Sequence, residues 1–170
     1  SATDPGDARR YKVSLAHPDG GRVYGWLHLP RGKGPFPAVL SIPGSGVGRT
    51  GRFDGFTSAG FAVLAIEIFG FEPSAENVGA ILAVRDPDSL TRFMQRVEVE
   101  ELNGYHNLGK EDHWHYIHRR SMIAAMRGMD YLHSRGDIDT SRIAVFGGSQ
   151  GGGLSLLTAA VDKRAKAVIA

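Results

Sequence analysis

The chain of 170 residues has no cysteine. That removes disulfides, thiolate metal sites and a cysteine nucleophile together, and leaves the compartment open. Long apolar runs are missing as well: none approaches the roughly 18 residues needed to span a bilayer. "SATDPGDARR" opens the chain without the apolar core of a leader peptide, as the start of a mature chain would. Charge of one sign is not in excess either. The 20 Lys and Arg face 18 Asp and Glu, for a net +2, and the two signs are interspersed. The basic stripe that nucleic-acid binding requires is therefore lacking.

What the chain has in quantity is glycine, 23 residues. They fall in short clusters, Gly44 to Gly51 and Gly147 to Gly153, between apolar runs. Clusters of that kind mark tight turns rather than a flexible linker. There is no internal repeat, and a chain of this length suits a single domain.

The apolar pattern assigns the elements. Tyr11 to Leu15 and Val23 to Leu29 alternate around "HPDGGR" and predict an antiparallel hairpin. Pro37 to Pro43, Ala62 to Ile68, Ile143 to Phe146 and Lys166 to Ala170 are short apolar runs, as in strands buried on both faces. Helices are expected at Arg52 to Ala59, Ser89 to Leu102, His113 to Ser134 and Gln150 to Ala160, with Asp112 as a cap and "GDIDTSR" as a loop. In the third helix, Ile117, Ser121, Ala124, Ala125, Gly128, Tyr131 and Leu132 share one face of mostly small residues. Strands alternating with helices predict an α/β fold, a mostly parallel sheet covered on both faces, entered through the hairpin.

Chemistry concentrates in "RIAVFGGSQGGGLSLLTAA", Arg142 to Ala160. Gly147-Gly148-Ser149-Gln150-Gly151 is a G-x-S-x-G pattern placed between a strand and a helix. A turn that sharp needs glycine two positions to either side of the serine and forces the serine into strained backbone angles. In return, the hydroxyl stands above the strand end, with the N–H of Gln150 and the helix N-terminus facing the space where an oxyanion would form. Ser149 is thus the expected nucleophile. A capping serine is the plain alternative, and a phosphate-cradling loop lacks its Gly-Lys-Ser/Thr ending. A second oxyanion donor is expected from the loop after the Pro37 strand, "PGSGVG", with Ser45 N–H as the candidate and Gly44 in reserve.

"RIAVFGGSQGG" followed by "LTAAVDKRAKAVIA" resembles the nucleophile elbow of the acetyl xylan esterase and cephalosporin C deacetylase group of α/β-hydrolases. "WHYIHRRSMIAAMRGMDYLHSR" is similar to the helix before that elbow, with Arg119 at the place of a recurring arginine. "PAVLSIPGSG" resembles the oxyanion-loop strand, with Pro43-Gly44 where the group has His-Gly. The resemblance implies hydrolysis of acetyl esters on carbohydrate by a serine, histidine and aspartate triad, without a cofactor. Its implied partner is a small-molecule or oligosaccharide ester, not nucleic acid or membrane. A prolyl-oligopeptidase-like serine peptidase and a non-catalytic hydrolase-fold binding module are the rival readings; a dienelactone-hydrolase type would need a cysteine.

In this fold the acid and then the histidine follow the serine. After Ser149 the chain offers one carboxylate, Asp162, expected to be solvated, and no histidine. All seven histidines precede it. His115 and His118 could pair on a metal but lack a third ligand, so no metal is expected. Trp114 anchors the helix or lines a sugar cleft. Residues 1–170 are therefore expected to be the N-terminal and central part of one hydrolase domain, with the acid and histidine beyond them. An apolar last strand without a neighbour is a template for association. Residues 1–170 expressed alone should accordingly be insoluble and without esterase activity; a soluble, cooperatively unfolding monomer of this segment would contradict that.

Overall fold

The structure, a computed structural model, describes residues 9–18, 22–45, 53–68, 105–107, 109–114 and 116–170. The helix expected at Ser89 to Leu102 lies outside the described residues. Among the described residues six strands form one sheet: β1 (Arg9–Ala16), β2 (Arg22–Leu29), β3 (Phe36–Ser41), β4 (Ala62–Glu67), β5 (Ile138–Phe146) and β6 (Ala167–Ile169). Their spatial order is β1-β2-β4-β3-β5-β6. The hairpin β1–β2 is antiparallel and β2 joins β4 antiparallel, whereas the β4–β3, β3–β5 and β5–β6 pairs are all parallel. The helices among the described residues are α1 (Asp54–Ser58), α2 (Ile117–His133) and α3 (Gln150–Val161), with a 3-10 turn at Tyr105–Asn107. No described helix is long and apolar enough to cross a membrane.

The sheet is apolar on both faces because its central strands are short and continuously hydrophobic; every residue of β4 is buried. On one face Leu27, Leu40, Leu64, Ile66, Ile143 and Val145 pack with Ala124, Ala125, Met129 and Leu132 of α2 and Leu154 of α3. On the other, Val39, Val63 and Ala65 pack with Phe53, and Phe56 of α1 meets Phe146 edge-on at 5.5 Å. The buried hydroxyls of α3 are satisfied within the helix: Ser155 donates to Gly151 O and Thr158 to Leu154 O, both at 2.7 Å.

Several expectations need correction. The helix expected from His113 begins at Ile117, capped by Tyr116 without a side-chain bond. Asp112 does not cap it; its carboxylate accepts the Trp114 N–H at 2.9 Å in a local turn. "GDIDTSR" is not simply a loop, since β5 starts at Ile138. Between Phe36↔Ile138 and Ala38↔Ile143 the register advances two residues on β3 and five on β5, a bulge. Asp139 holds the bulge by accepting from Ser141 N–H, the Ser141 hydroxyl and Arg142.

The largest departure is Asp162, which is not solvated but 6% exposed. Arg164 folds back onto it through two bonds of 2.8 and 2.6 Å and adds its own backbone N–H at 3.1 Å. The same guanidinium reaches Asp130 of α2 at 2.8 Å, and Asp130 in turn pairs with Arg127, which donates to the Ala16 carbonyl at the end of β1. The hairpin, α2 and the end of α3 are thereby tied together through charge-assisted bonds.

Arg164 holds the Asp162 carboxyl below the usual carboxylate range. A carboxylate depressed in the folded state adds stability above its unfolded value, near 4, and that stability is lost as pH falls through the folded value. Asp162→Asn should cost about 1–3 kcal/mol at pH 7. In urea unfolding across pH 2–7, the gap between wild type and variant should close below about pH 4. A gap independent of pH would show that the carboxylate charge is not what holds Arg164.

Candidate active site

The site is built where β5 turns into α3. Ser149 has φ 56° and ψ −125°, and among the described residues it is the only one other than glycine with positive φ. That conformation is costly for a residue with a Cβ, so the surroundings must enforce it. They do so through close approach of backbone to backbone. A Cβ on Gly151 would lie 2.6 Å from Pro43 O and would overlap Ile42 O outright. A Cβ on Gly147 would lie 2.8 Å from Ile42 O and collide with the Gly151 carbonyl. The first turn of α3 therefore presses against the end of β3. The one-residue reversal this leaves at Ser149 lifts its side chain out of the turn.

The rim is fixed by hydrogen bonds between strand ends. Ile42 N–H donates to Phe146 O at 2.8 Å, and Gly147 N–H to Ile169 O at 3.0 Å. Behind the serine, Gly153 N–H donates to Ser149 O at 3.2 Å. The Ser149 hydroxyl makes no capping bond to α3, which speaks against the capping alternative.

The loop after β3 comes to the same place. A Cβ on Gly44 would sit 3.2 Å from Gly148 O and 3.9 Å from Ser149 Cβ. Ser45 follows, and its hydroxyl donates to the Gln150 side-chain carbonyl at 3.2 Å. Ser149, Gln150 and Ser45, picked out in the sequence, thus meet at the carboxyl ends of β3 and β5. The Ser45–Gln150 side-chain contact was not foreseen, and no motif in the sequence signals it.

Comparison with known proteins bears on this arrangement. The family model described as "Acetyl xylan esterase (AXE1)" matches residues 3–170. The chain belongs to the acetyl xylan esterase family. Acetyl esterase Axe7A of Xylanibacter ruminicola is 33% identical over 151 residues, which cover 87% of this chain and 32% of that protein. Among solved structures, the acetyl xylan esterase from Paenibacillus sp. R4 superposes with a TM-score of 0.71 at 26% identity, covering 99% of this chain and 50% of that one. Acetyl xylan esterase 1 from a Thermoanaerobacterium species gives the same TM-score at 23% identity and covers 49% of its chain, a likeness of fold. The chain spans about half the length of these solved esterases and a third of Axe7A. With the family established, the α/β-hydrolase fold read from the elbow stands.

The histidines and Trp114 singled out in the sequence make local contacts of their own. His113 packs on Trp114 with ring centres 4.9 Å apart, and His118 on Tyr116 at 5.0 Å. Burial and the neighbouring His106 hold His118 below the usual imidazole range. His115 lies outside the described residues. No group of three or more metal-ligating side chains converges among the described residues. Trp114 is exposed rather than an anchor, and Arg119 donates to its carbonyl at 3.2 Å while lying over its ring. His28, on β2, is pushed to about 4 by burial beside Phe53 and by the Arg10 charge.

The crossing at Gly151 makes a sharp prediction within one helix. Gly151→Ala must displace the β3 end and should cost roughly 1–3 kcal/mol together with any activity of the elbow. Gly153→Ala, where a Cβ meets nothing within 4 Å, should stabilise by about 0.5–1 kcal/mol. Thermal melts of the two variants check this; equal behaviour would mean the crossing is not what constrains the turn.

Proposed function

We propose that this protein is a serine esterase that hydrolyses short-chain, acetyl esters, with O-acetylated carbohydrate such as acetyl xylan as the substrate class. The observation that carries the reading is the strained conformation of Ser149 at the start of α3, in a chain of the acetyl xylan esterase family. Residues 1–170 supply the nucleophile and the oxyanion site of one hydrolase domain. A histidine and an aspartate outside this segment supply the base and its orienting acid.

The chemistry follows from the placement. Ser149 Oγ attacks the acetyl carbonyl while the histidine takes the hydroxyl proton. The carbonyl oxygen becomes an oxyanion held by the backbone N–H groups of Gln150 and Ser45, donors that need no reorganisation as charge develops. Collapse expels the sugar alcohol, which leaves with the proton from the histidine, and the acetyl group stays on Ser149. Water, deprotonated by the same histidine, then attacks the acyl-enzyme; the bond from the acyl carbon to Ser149 Oγ breaks, Oγ recovers its proton from the histidine, and acetate is released. The dipole of α3 favours negative charge at the same point. No step calls for a cofactor.

Ser149→Ala should lower kcat by a factor on the order of 10⁶. A fluorophosphonate should add one covalent group, which peptide mapping places on Ser149. Acetyl esters should be cleaved in preference to octanoyl esters, and acetylated xylo-oligosaccharides should release acetate. Preference for octanoyl esters would move the protein toward lipases, cleavage of peptide amides toward the prolyl-oligopeptidase reading, and full activity without the Ser149 hydroxyl would end this one.

A further inference from the structure

The two N–H groups assigned to the oxyanion stand on separate elements 105 residues apart in sequence, one in the loop after β3 and one in the first turn of α3. Donors stabilise developing charge only within about 2.7–3.1 Å of it, so their mutual spacing must be held. Backbone bonding from β3 to β5 reaches Ile42 N–H, which donates to Phe146 O. Beyond it come Pro43, which has no N–H, Gly44, which lies in contact with the elbow but has no side chain to anchor it, and then Ser45. A side-chain bond between that part of the loop and α3 runs from the Ser45 hydroxyl to the Gln150 side-chain carbonyl, 3.2 Å long.

We propose that the Ser45–Gln150 side-chain hydrogen bond is a latch that sets the distance between the two oxyanion donors, making both side chains positioning residues. The inference rests on Ser149 being the nucleophile. Each partner holds the other's backbone N–H in place: Ser45 keeps its loop from lifting off the elbow, and Gln150 gives it a fixed acceptor on the rigid helix start. Because the carbonyl oxygen gains its charge in the transition state, loosening the latch acts on kcat and leaves KM nearly unchanged. A displacement of the order of 1 Å is enough to cost up to about 10²-fold in rate.

The test is a double-mutant cycle in the full-length protein, with Ser45→Ala, Gln150→Ala and the pair, assayed on p-nitrophenyl acetate. Normalising kcat to sites titrated by a fluorophosphonate removes any misfolded fraction. Each single variant should lose about 10-fold in kcat with KM within about twofold, and the pair should lose little more than either alone. Ser45→Thr, which keeps the hydroxyl, should recover most of the rate, a rescue that a purely structural role for the loop would not predict. An unchanged kcat in Ser45→Ala, or losses that multiply in the pair, would overturn the latch. Wild-type protein labelled at a residue other than Ser149 would instead remove the nucleophile reading, and is seen before any variant is made.

Discussion

The candidate site depends on one steric constraint: the first turn of α3 crosses the end of β3 so closely that Gly151 has no room for a Cβ beside the carbonyls of Ile42 and Pro43. With that contact in place, the chain leaving β5 must reverse within a single residue. Ser149 then takes a positive-φ conformation that a serine would not adopt by preference. The strain at Ser149 is offset by the packing of the central strands, whose buried residues form continuous clusters on both sheet faces. Parallel strands bring the ends of β3 and β5 to one edge. An elbow from one and a loop from the other therefore meet without either having to be long.

Stability and site are linked through the same elements. α3 begins at the elbow and ends at Asp162, where the Arg164 clamp fixes it to Asp130 of α2. The helix that positions Ser149 is thus held at both ends, by backbone contact at its start and by ion pairing at its finish. Its outer face is different: Leu156, Leu157 and Val161 are exposed, as are Val168 and Ile169 of β6. Apolar side chains grouped in this way mark a surface suited to burial.

Much of this was legible in the sequence, for identifiable reasons. Continuous apolar runs and the turn-forming composition of "HPDGGR" placed the strands, because sheets buried on two faces leave little room for other patterns. The G-x-S-x-G elbow was legible because its glycines are dictated by backbone contact, and contact of that kind leaves a fixed spacing. What failed depended on side chains meeting across the fold. Asp162 read as solvated because Lys163 and Arg164 beside it looked like a charged surface loop; only the turn after α3 brings Arg164 back onto it. The bulge at Asp139 was hidden because Asp, Ser and Arg compose a loop, and here they brace an irregular stretch of strand. The Ser45–Gln150 bond joins residues with no pattern between them.

The central claim is that the elbow and the β3 loop together form an oxyanion site around Ser149. A crystal structure of the full-length protein with a diethyl phosphonate on its nucleophile measures this directly, since the phosphoryl oxygen occupies the oxyanion position. The account predicts the adduct on Ser149 Oγ, with that oxygen about 2.7–3.1 Å from the backbone nitrogens of both Gln150 and Ser45. A phosphoryl oxygen turned to solvent, or bound by neither nitrogen, would contradict it.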